Sequence, residues 1–160
     1  MPHDKVRPVP AELAAWLDAL TPLAEAMLRV FVGLALLPHA LRNTFDFFPT
    51  TGQPLRSLGM LAGYLDQQGY RPGRLWAPAI SAVQFIGGPL LALGLFTRWA
   101  AFPILCFLIV ANVERWRVGR YFWNELGLEY TLMWTIAALY FLVHGGGIYS
   151  LDRLLIGREF

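Results

Sequence analysis

Leu75 to Thr97 reads Leu-Trp-Ala-Pro-Ala-Ile-Ser-Ala-Val-Gln-Phe-Ile-Gly-Gly-Pro-Leu-Leu-Ala-Leu-Gly-Leu-Phe-Thr and contains no charged side chain. About 20 predominantly apolar residues in a helix cross the hydrocarbon of a bilayer. Arg98 breaks the run, and Trp99 to Val113 is uncharged again. With almost no linker between them, the two runs are expected to form a tight antiparallel hairpin. The second run is short for a crossing, so Glu114, Arg115 and Trp116 are expected on its last turn, at the interface. Pro22 to Leu41 is apolar except for Glu25, Arg29 and His39, and a last apolar run from Glu129 to His144 ends in Gly145-Gly146-Gly147. The expected spans are therefore 22–41, 75–97, 99–116 and 129–144, in a single domain covering residues 1–160. Trp76, Trp99 and Trp116 fall at span ends, where an aromatic belt belongs.

Composition supports lipid as the solvent. The chain is 56% hydrophobic and 15% charged, against about 45–50% and about 25% in soluble domains. Ala11 to Leu20 places Leu13, Trp16, Leu17 and Leu20 at helical spacing with Glu12 and Asp18 opposite. This pattern predicts a short amphipathic helix on the membrane surface, followed by a restart at Thr21-Pro22. In the long connection from Arg42 to Arg74, Leu55, Leu58, Leu61, Ala62 and Leu65 predict a further short helix at the bundle end. The fold class is thus all-α, an integral membrane four-helix bundle with an N-terminal interfacial helix and a short helix between spans one and two. Met1 to Pro10 lack the apolar core of a secretory signal, so insertion is expected to rely on the spans.

Four spans put both ends of the chain on one side, side A. Lys5, Arg7, Arg98, Arg153 and Arg158 lie there, against Arg42, Arg56, Arg71, Arg74, Arg115, Arg117 and Arg120 on side B. The excess of basic residues leans side B toward the cytoplasm.

Several functions are disfavoured. A net charge of +2 without a basic run gives no reason to expect nucleic acid. There is no glycine-rich dinucleotide fingerprint, phosphate loop or nucleophile motif. Cys106 stands alone in an apolar run, and His39 and His144 sit toward opposite ends of antiparallel spans, so no metal site and no intrinsic redox centre is expected.

Polar residues at bilayer depth are the functional candidates. Glu25 and Arg29 lie four residues apart on one helix face. They pair with each other, or Arg29 bonds backbone carbonyls across the bundle, or Arg29 faces a cavity and holds an anionic or carbonyl-bearing ligand. Gln84, beside Gly87-Gly88-Pro89, is interhelical glue or a ligand contact. On side B, His39 and Arg42, Asn112 and Glu114, and Glu129 and Tyr130 gather at span ends. The ligand-binding candidates are Arg29, His39, Gln84, Glu129 and Tyr130. Arg98 and Asp152 are expected to form a structural ion pair at side A.

Leu28-Arg29 through Leu37-Pro38-His39-Ala40, Gly87 to Ala101 across the hairpin, Glu129-Tyr130, and Gly145-Gly146-Gly147-Ile148-Tyr149-Ser150-Leu151-Asp152 occur in an order and spacing that resemble the DoxX family of small bacterial membrane proteins. The resemblance covers about Leu28 to Leu154. It implies a four-helix membrane fold in the bacterial inner membrane. It also implies association with thiosulfate oxidation coupled to quinone, or with membrane complexes that handle thiols and oxidative stress. Relatives often carry a glutamate just before the paired glycines, where this chain has Gln84, which cannot carry a proton as a carboxylate does. The glycine–proline–glycine common before Ser-Leu-Asp is here Gly145-Gly146-Gly147.

Two readings follow. The first is a membrane subunit of an oxidoreductase system, with quinone as ligand and a membrane or soluble redox protein as partner. In it, Arg29 or His39 bonds a quinone carbonyl and Glu129 or Tyr130 relays protons. The second is a non-catalytic accessory subunit packed in a larger membrane complex. A lipid or small-solute binder is a third.

Overall fold

The computed structural model describes residues 10–48 and 55–157. All regular structure among them is helical: α1 (Ala11–Phe45), α2 (Leu58–Gln67), α3 (Gly73–Leu93), α4 (Thr97–Val118) and α5 (Leu128–His144), with short turns of helix at Trp123–Glu125 and Asp152–Ile156. Lys5, Arg7 and Arg158 of the charge count lie outside the described residues. Helices α1, α3 and α4 are long and apolar enough to cross a membrane, and α5 is an apolar helix of 17 residues packed against α4.

The expected break at Thr21-Pro22 is absent. Helix α1 runs through it for 35 residues, about 52 Å at the α-helical rise. Pro22 lacks the N–H that would bond the Asp18 carbonyl, but Asp18 is exposed, so solvent replaces that bond at little cost. The Thr21 hydroxyl donates to the Leu17 carbonyl at 2.9 Å.

Val32 and Leu36 of α1, Leu91 of α3, Ile104 of α4 and Phe141 of α5 form the core. Phe31, Ile86, Phe102, Ile136 and Val143 point outward and are exposed. So continuous an apolar exterior is unfavourable in water and suited to lipid. Helices α1 and α3 approach until backbone meets backbone: a Cβ on Gly33 would lie 2.4 Å from the Gly88 carbonyl oxygen, and one on Gly88 would lie 2.7 Å from that of Gly33. Small residues permit such close packing in membranes, where van der Waals contact drives helix association.

Within α3, Val83–Gly87 forms a widened π turn. Pro89 explains it: the ring has no N–H for the Phe85 carbonyl and crowds it, and a wider turn moves that carbonyl aside. Helix α3 then ends earlier than expected. Gly94 adopts the left-handed conformation at φ 68°, with its N–H on the Leu91 carbonyl at 3.0 Å and the Leu95 N–H on that of Leu90 at 2.9 Å. These are the two bonds of a Schellman stop. Helix α4 starts at Thr97 and includes Arg98, so the turn is Gly94–Phe96 and not the charged residue. Hydropathy does not register a backbone stop inside an apolar run.

The helix expected in the long connection is α2. Its Leu61 and Leu65 pack on Ala77 of α3, the Ser57 hydroxyl oxygen caps its start by accepting from the Met60 N–H at 3.2 Å, and the Asp66 carboxylate accepts from the Gly73 N–H at 2.7 Å.

Candidate functional site

Three polar centres are built into the bundle. The first lies at the end that carries the α3–α4 turn. Arg29 is 3% exposed. Its Nε donates to the Ala92 carbonyl at 3.4 Å, one terminal nitrogen to that of Gly146, and the other to that of Tyr149 at 2.8 Å. Of the sequence alternatives, the bundle-spanning bonds to backbone carbonyls are the ones formed, and Glu25 is not its partner. Asp152 is fully buried. Its carboxylate accepts from the N–H groups of Phe96 and Thr97 at 2.6 and 2.9 Å and from the Thr97 hydroxyl at 2.8 Å, while its own N–H donates to the Gly94 carbonyl at 2.9 Å. An anion at a helix N-terminus satisfies orphan amides and the helix dipole together. Arg98 takes no part: it donates to the Val143 and His144 carbonyls at 3.1 and 3.5 Å. The expected Arg98–Asp152 ion pair is therefore replaced. The acid lies closer to the amides it caps, and the cation finds the carbonyls at the C-terminus of α5, where a positive charge is favoured.

The second centre lies one turn earlier on α1. The Glu25 carboxylate accepts from the Tyr140 hydroxyl at 2.6 Å and lies 3.4 Å from His144 Nε2. The Tyr140 and His144 rings stack with centroids 5.0 Å apart and planes at 17°. Tyr140 and His144 share one outward stripe of α5 with Ile136, Leu139 and Val143, beside a shallow open depression of about 500 Å³. This triad of carboxylate, phenol and imidazole escaped sequence reasoning. The i,i+4 spacing of Tyr140 and His144 was visible as one helix face, but Glu25 joins them only through tertiary packing. On that stripe the triad can accept, hold or donate a proton.

The third centre is at the opposite end. Arg42, Asn43, Ser81 and Gln84 are all buried. Arg42 donates to the Asn43 side-chain oxygen at 3.2 Å, and the Thr44 hydroxyl donates to that of Ser81 at 3.4 Å. Gln84 Oε1 is buried without a hydrogen-bond partner, as is Oδ1 of Asn112, whose Nδ2 donates to Thr135 at 2.6 Å. Glu114 accepts from the Tyr70 hydroxyl and from Arg117, each at 2.8 Å, and Arg115 donates to the Leu126 carbonyl at 2.9 Å. Burial, reinforced by the bond to Glu114, pushes the Tyr70 phenol above its ordinary range, and burial does the same to Tyr64.

The candidates from sequence do not form one site. Arg29 is committed to backbone at one end. His39 is exposed on α1 toward the other end, within the field of Arg42 and Arg115. Gln84 is buried in α3. Glu129 accepts from the Trp123 N–H at 3.2 Å, and Tyr130 packs edge-on against Trp134 at 5.6 Å. No hydrogen bond among the described residues links His39, Gln84, Glu129 and Tyr130, because Glu129 is used in ordering the turn before α5. No group of three or more His, Cys, Asp or Glu side chains capable of holding a metal occurs among the described residues. Cys106 is exposed.

A DoxX family model matches residues 24–114. Comparisons with curated proteins and with solved structures returned no match.

Proposed function

The chain belongs to the DoxX family, and on that premise we propose that it is the membrane-embedded subunit of an oxidoreductase system, binding a quinone on the outward stripe of α5 beside Glu25, Tyr140 and His144. The triad carries the reading: a carboxylate 2.6 Å from a phenol oxygen and 3.4 Å from an imidazole, next to apolar side chains. A quinone needs an apolar surface and one or two hydrogen-bonding groups, and the outward stripe of α5 offers Ile136, Leu139 and Val143 beside Tyr140 and His144. A quinone carbonyl accepts from Tyr140 or His144. When the ring gains two electrons from a redox-active partner protein, it takes up two protons, and Glu25 and His144 pass them on from side A.

The same reading has α5 cross as the fourth span. Its 17 residues extend about 26 Å, a few ångströms less than the average hydrocarbon thickness, and such mismatch is absorbed by the bilayer. Both ends of the chain then lie on side A. The setting is a multi-pass protein of the bacterial inner membrane.

The accessory-subunit reading has its own observation. Leu13, Trp16, Leu17 and Leu20 form an exposed apolar stripe on the part of α1 that overshoots the bundle, and a partner helix could cover it.

Titration of a short-chain ubiquinone analogue into the protein in nanodiscs tests the first reading, with tryptophan fluorescence quenching as readout. Quenching is expected to saturate. Glu25→Gln and His144→Ala are each expected to weaken binding by about fivefold or more, the loss of one hydrogen bond of roughly 1 kcal/mol. Quenching that never saturates, or variants that bind like the wild type, overturns the quinone site. In that case a stoichiometric protein partner retained from native membranes, and released by charged substitutions at Trp16 and Leu20, would establish the accessory role.

A further inference from the structure

Helix α1 is longer than the bundle needs. Arg29, packed against Gly94 of the α3–α4 turn, marks one end of the bundle. Among the described residues of α1, none before Arg29 is buried. Leu20 and Leu13 lie about 14 and 24 Å beyond it at the helical rise. The whole helix exceeds a hydrocarbon core of roughly 30 Å by about 20 Å. A stretch this short, standing alone in water, is a marginal helix. Yet it carries Trp16, 70% exposed, with Leu13, Leu17 and Leu20 beside it.

The exposed side chains of α1 keep one register. Leu13, Leu20, Met27 and Leu34 follow one another at intervals of seven, and so do Trp16, Leu23 and Val30. All of them are exposed. They fill the a and d positions of successive heptads, the pattern of a coiled-coil seam. The register passes through Thr21-Pro22 unbroken because the helix does. The part beyond the bundle and the part within the span thus present one seam about 32 Å long. The bundle takes the other side of the helix: buried Arg29, Val32, Gly33 and Leu36 fall at c, f, g and c. Lipid requires only that outward side chains be apolar. It does not require a heptad register, carried past the hydrocarbon.

Charge selects the occupant. A symmetric pair sets each seam residue against its own kind, so a charge there meets a like charge. From Leu13 to Leu34, positions a, d, e and g hold only Leu, Trp, Met, Val, Phe, Ala and Gly. Asp18 and Glu25 take f, and Arg29 takes c, away from the contact. Glu12, at g, faces position e of the next heptad in a parallel pair, which is Leu17. Ala19, Ala24 and Ala26 at the flanks let two helices approach closely. Chains inserted in the same orientation bring α1 to α1 in parallel, a against a and d against d.

We propose that the outer face of α1, from Leu13 to Leu34, is a homodimer interface, a parallel two-stranded coiled coil that begins beyond the bundle and continues into the membrane. The second copy supplies the helix that covers the stripe from Leu13 to Leu20. Glu25 lies at f, on the far side of the helix from this seam. The dimer therefore leaves Glu25, Tyr140 and His144 uncovered, and this proposal and the quinone site fail separately.

The test uses the full chain in a Cys106→Ser background, in liposomes at a low protein-to-lipid ratio. Single cysteines replace each residue from Glu12 to Leu20 in turn, and an oxidant is added. Disulfide-linked dimers are expected to peak at residues 13, 16 and 20, with yields at least fivefold lower at residues 15 and 18. In a second measurement, the chain is labelled at a cysteine replacing Gly119 and bleaching steps are counted in the same liposomes. Two steps are expected for the unaltered seam and for Asp18→Lys, and one step for Trp16→Glu combined with Leu20→Glu. If that double variant does not insert, the cysteine scan decides alone. Equal yields around the helix, single-step bleaching with the unaltered seam, or two steps retained in the double variant overturns the proposal. So does crosslinking of residues 13, 16 and 20 to a different protein in native membranes.

Discussion

Gly94 lies flat against the guanidinium of Arg29: a Cβ at residue 94 would stand 2.8 Å from Arg29 Cζ and 3.0 Å from Nε. The glycine is required twice, by this contact and by its φ of 68°. Its carbonyl meanwhile accepts the N–H of Asp152. The turn between α3 and α4, the buried cation of α1 and the segment from Gly146 to Asp152 after α5 thus close as one latch. Gly94→Ala is expected to destabilise the protein by about 2 kcal/mol or more, the sum of left-handed strain and a forced shift of Arg29. Arg29→Leu is expected to cost at least about 3 kcal/mol, because the carbonyls of Ala92, Gly146 and Tyr149 lose their donor. Arg29→Lys should fall between, keeping the charge but not the fork. Denaturant unfolding in detergent micelles measures all three.

Asp152 should behave as the cap of a helix to which it does not belong. Asp152→Ala leaves the Phe96 and Thr97 amides without their acceptor and is expected to cost about 2 kcal/mol. Asp152→Asn, which keeps one acceptor, should cost less. Hydrogen exchange is expected to quicken first at Phe96 to Ala100, and uniform loss of protection along α4 would contradict a local capping role.

Tyr70 links the bundle end to α2 through its bond to Glu114. Its phenol is raised above the ordinary value of 10.0 by burial and by that bond. A raised acid favours its protonated form in the fold. The stability it contributes is therefore complete below about pH 10 and is lost as pH rises through the higher folded value. Thermal midpoints measured from pH 8 to 11 should fall more steeply for the wild type than for Tyr70→Phe. Parallel slopes would show that the bond contributes nothing.

Four crossings make a definite labelling pattern. In a Cys106→Ser background, single cysteines replacing Gly69 and Gly119 should react with a membrane-impermeant thiol reagent from one face, and those replacing Arg98 and Tyr149 from the other. If α5 does not cross, Gly119 and Tyr149 label from the same face.

Much of the architecture was legible because lipid imposes a simple rule: apolar runs must be helices, and charges within them must face inward. That rule located the helices, read Leu58 to Leu65 as a short helix on the bundle end and offered backbone carbonyls as one set of partners for Arg29. It could not see stops made by backbone conformation. The Schellman turn at Gly94 sits inside an uncharged run, and the continuity of α1 through Pro22 contradicts a local signal that is usually reliable. Partners were harder still. Arg98 and Asp152 are opposite charges at one end of the bundle, yet each prefers a helix terminus to the other. Glu25 passes over Arg29, one turn away in sequence, for Tyr140 and His144 on another helix. His39, Glu129 and Tyr130 share a bundle end by sequence reading, but Glu129 bonds the turn before α5, Tyr130 packs on Trp134, and no hydrogen bond among the described residues joins either to His39.

The π turn at Val83–Gly87 makes α3 a helix with a spare residue. A widened turn holds one residue more than an α turn while advancing the helix by about the same amount. The two halves of α3 therefore present their faces, Ser81 toward Thr44 on one side and Gly88 toward Gly33 on the other, in a phase that a regular helix of this length could not provide. Removing one residue elsewhere in α3 would turn one half by about 100° against the other and take its face off the bundle. Removing one within the widened turn would leave both faces where they are, and would dispense only with the position that Gln84 occupies.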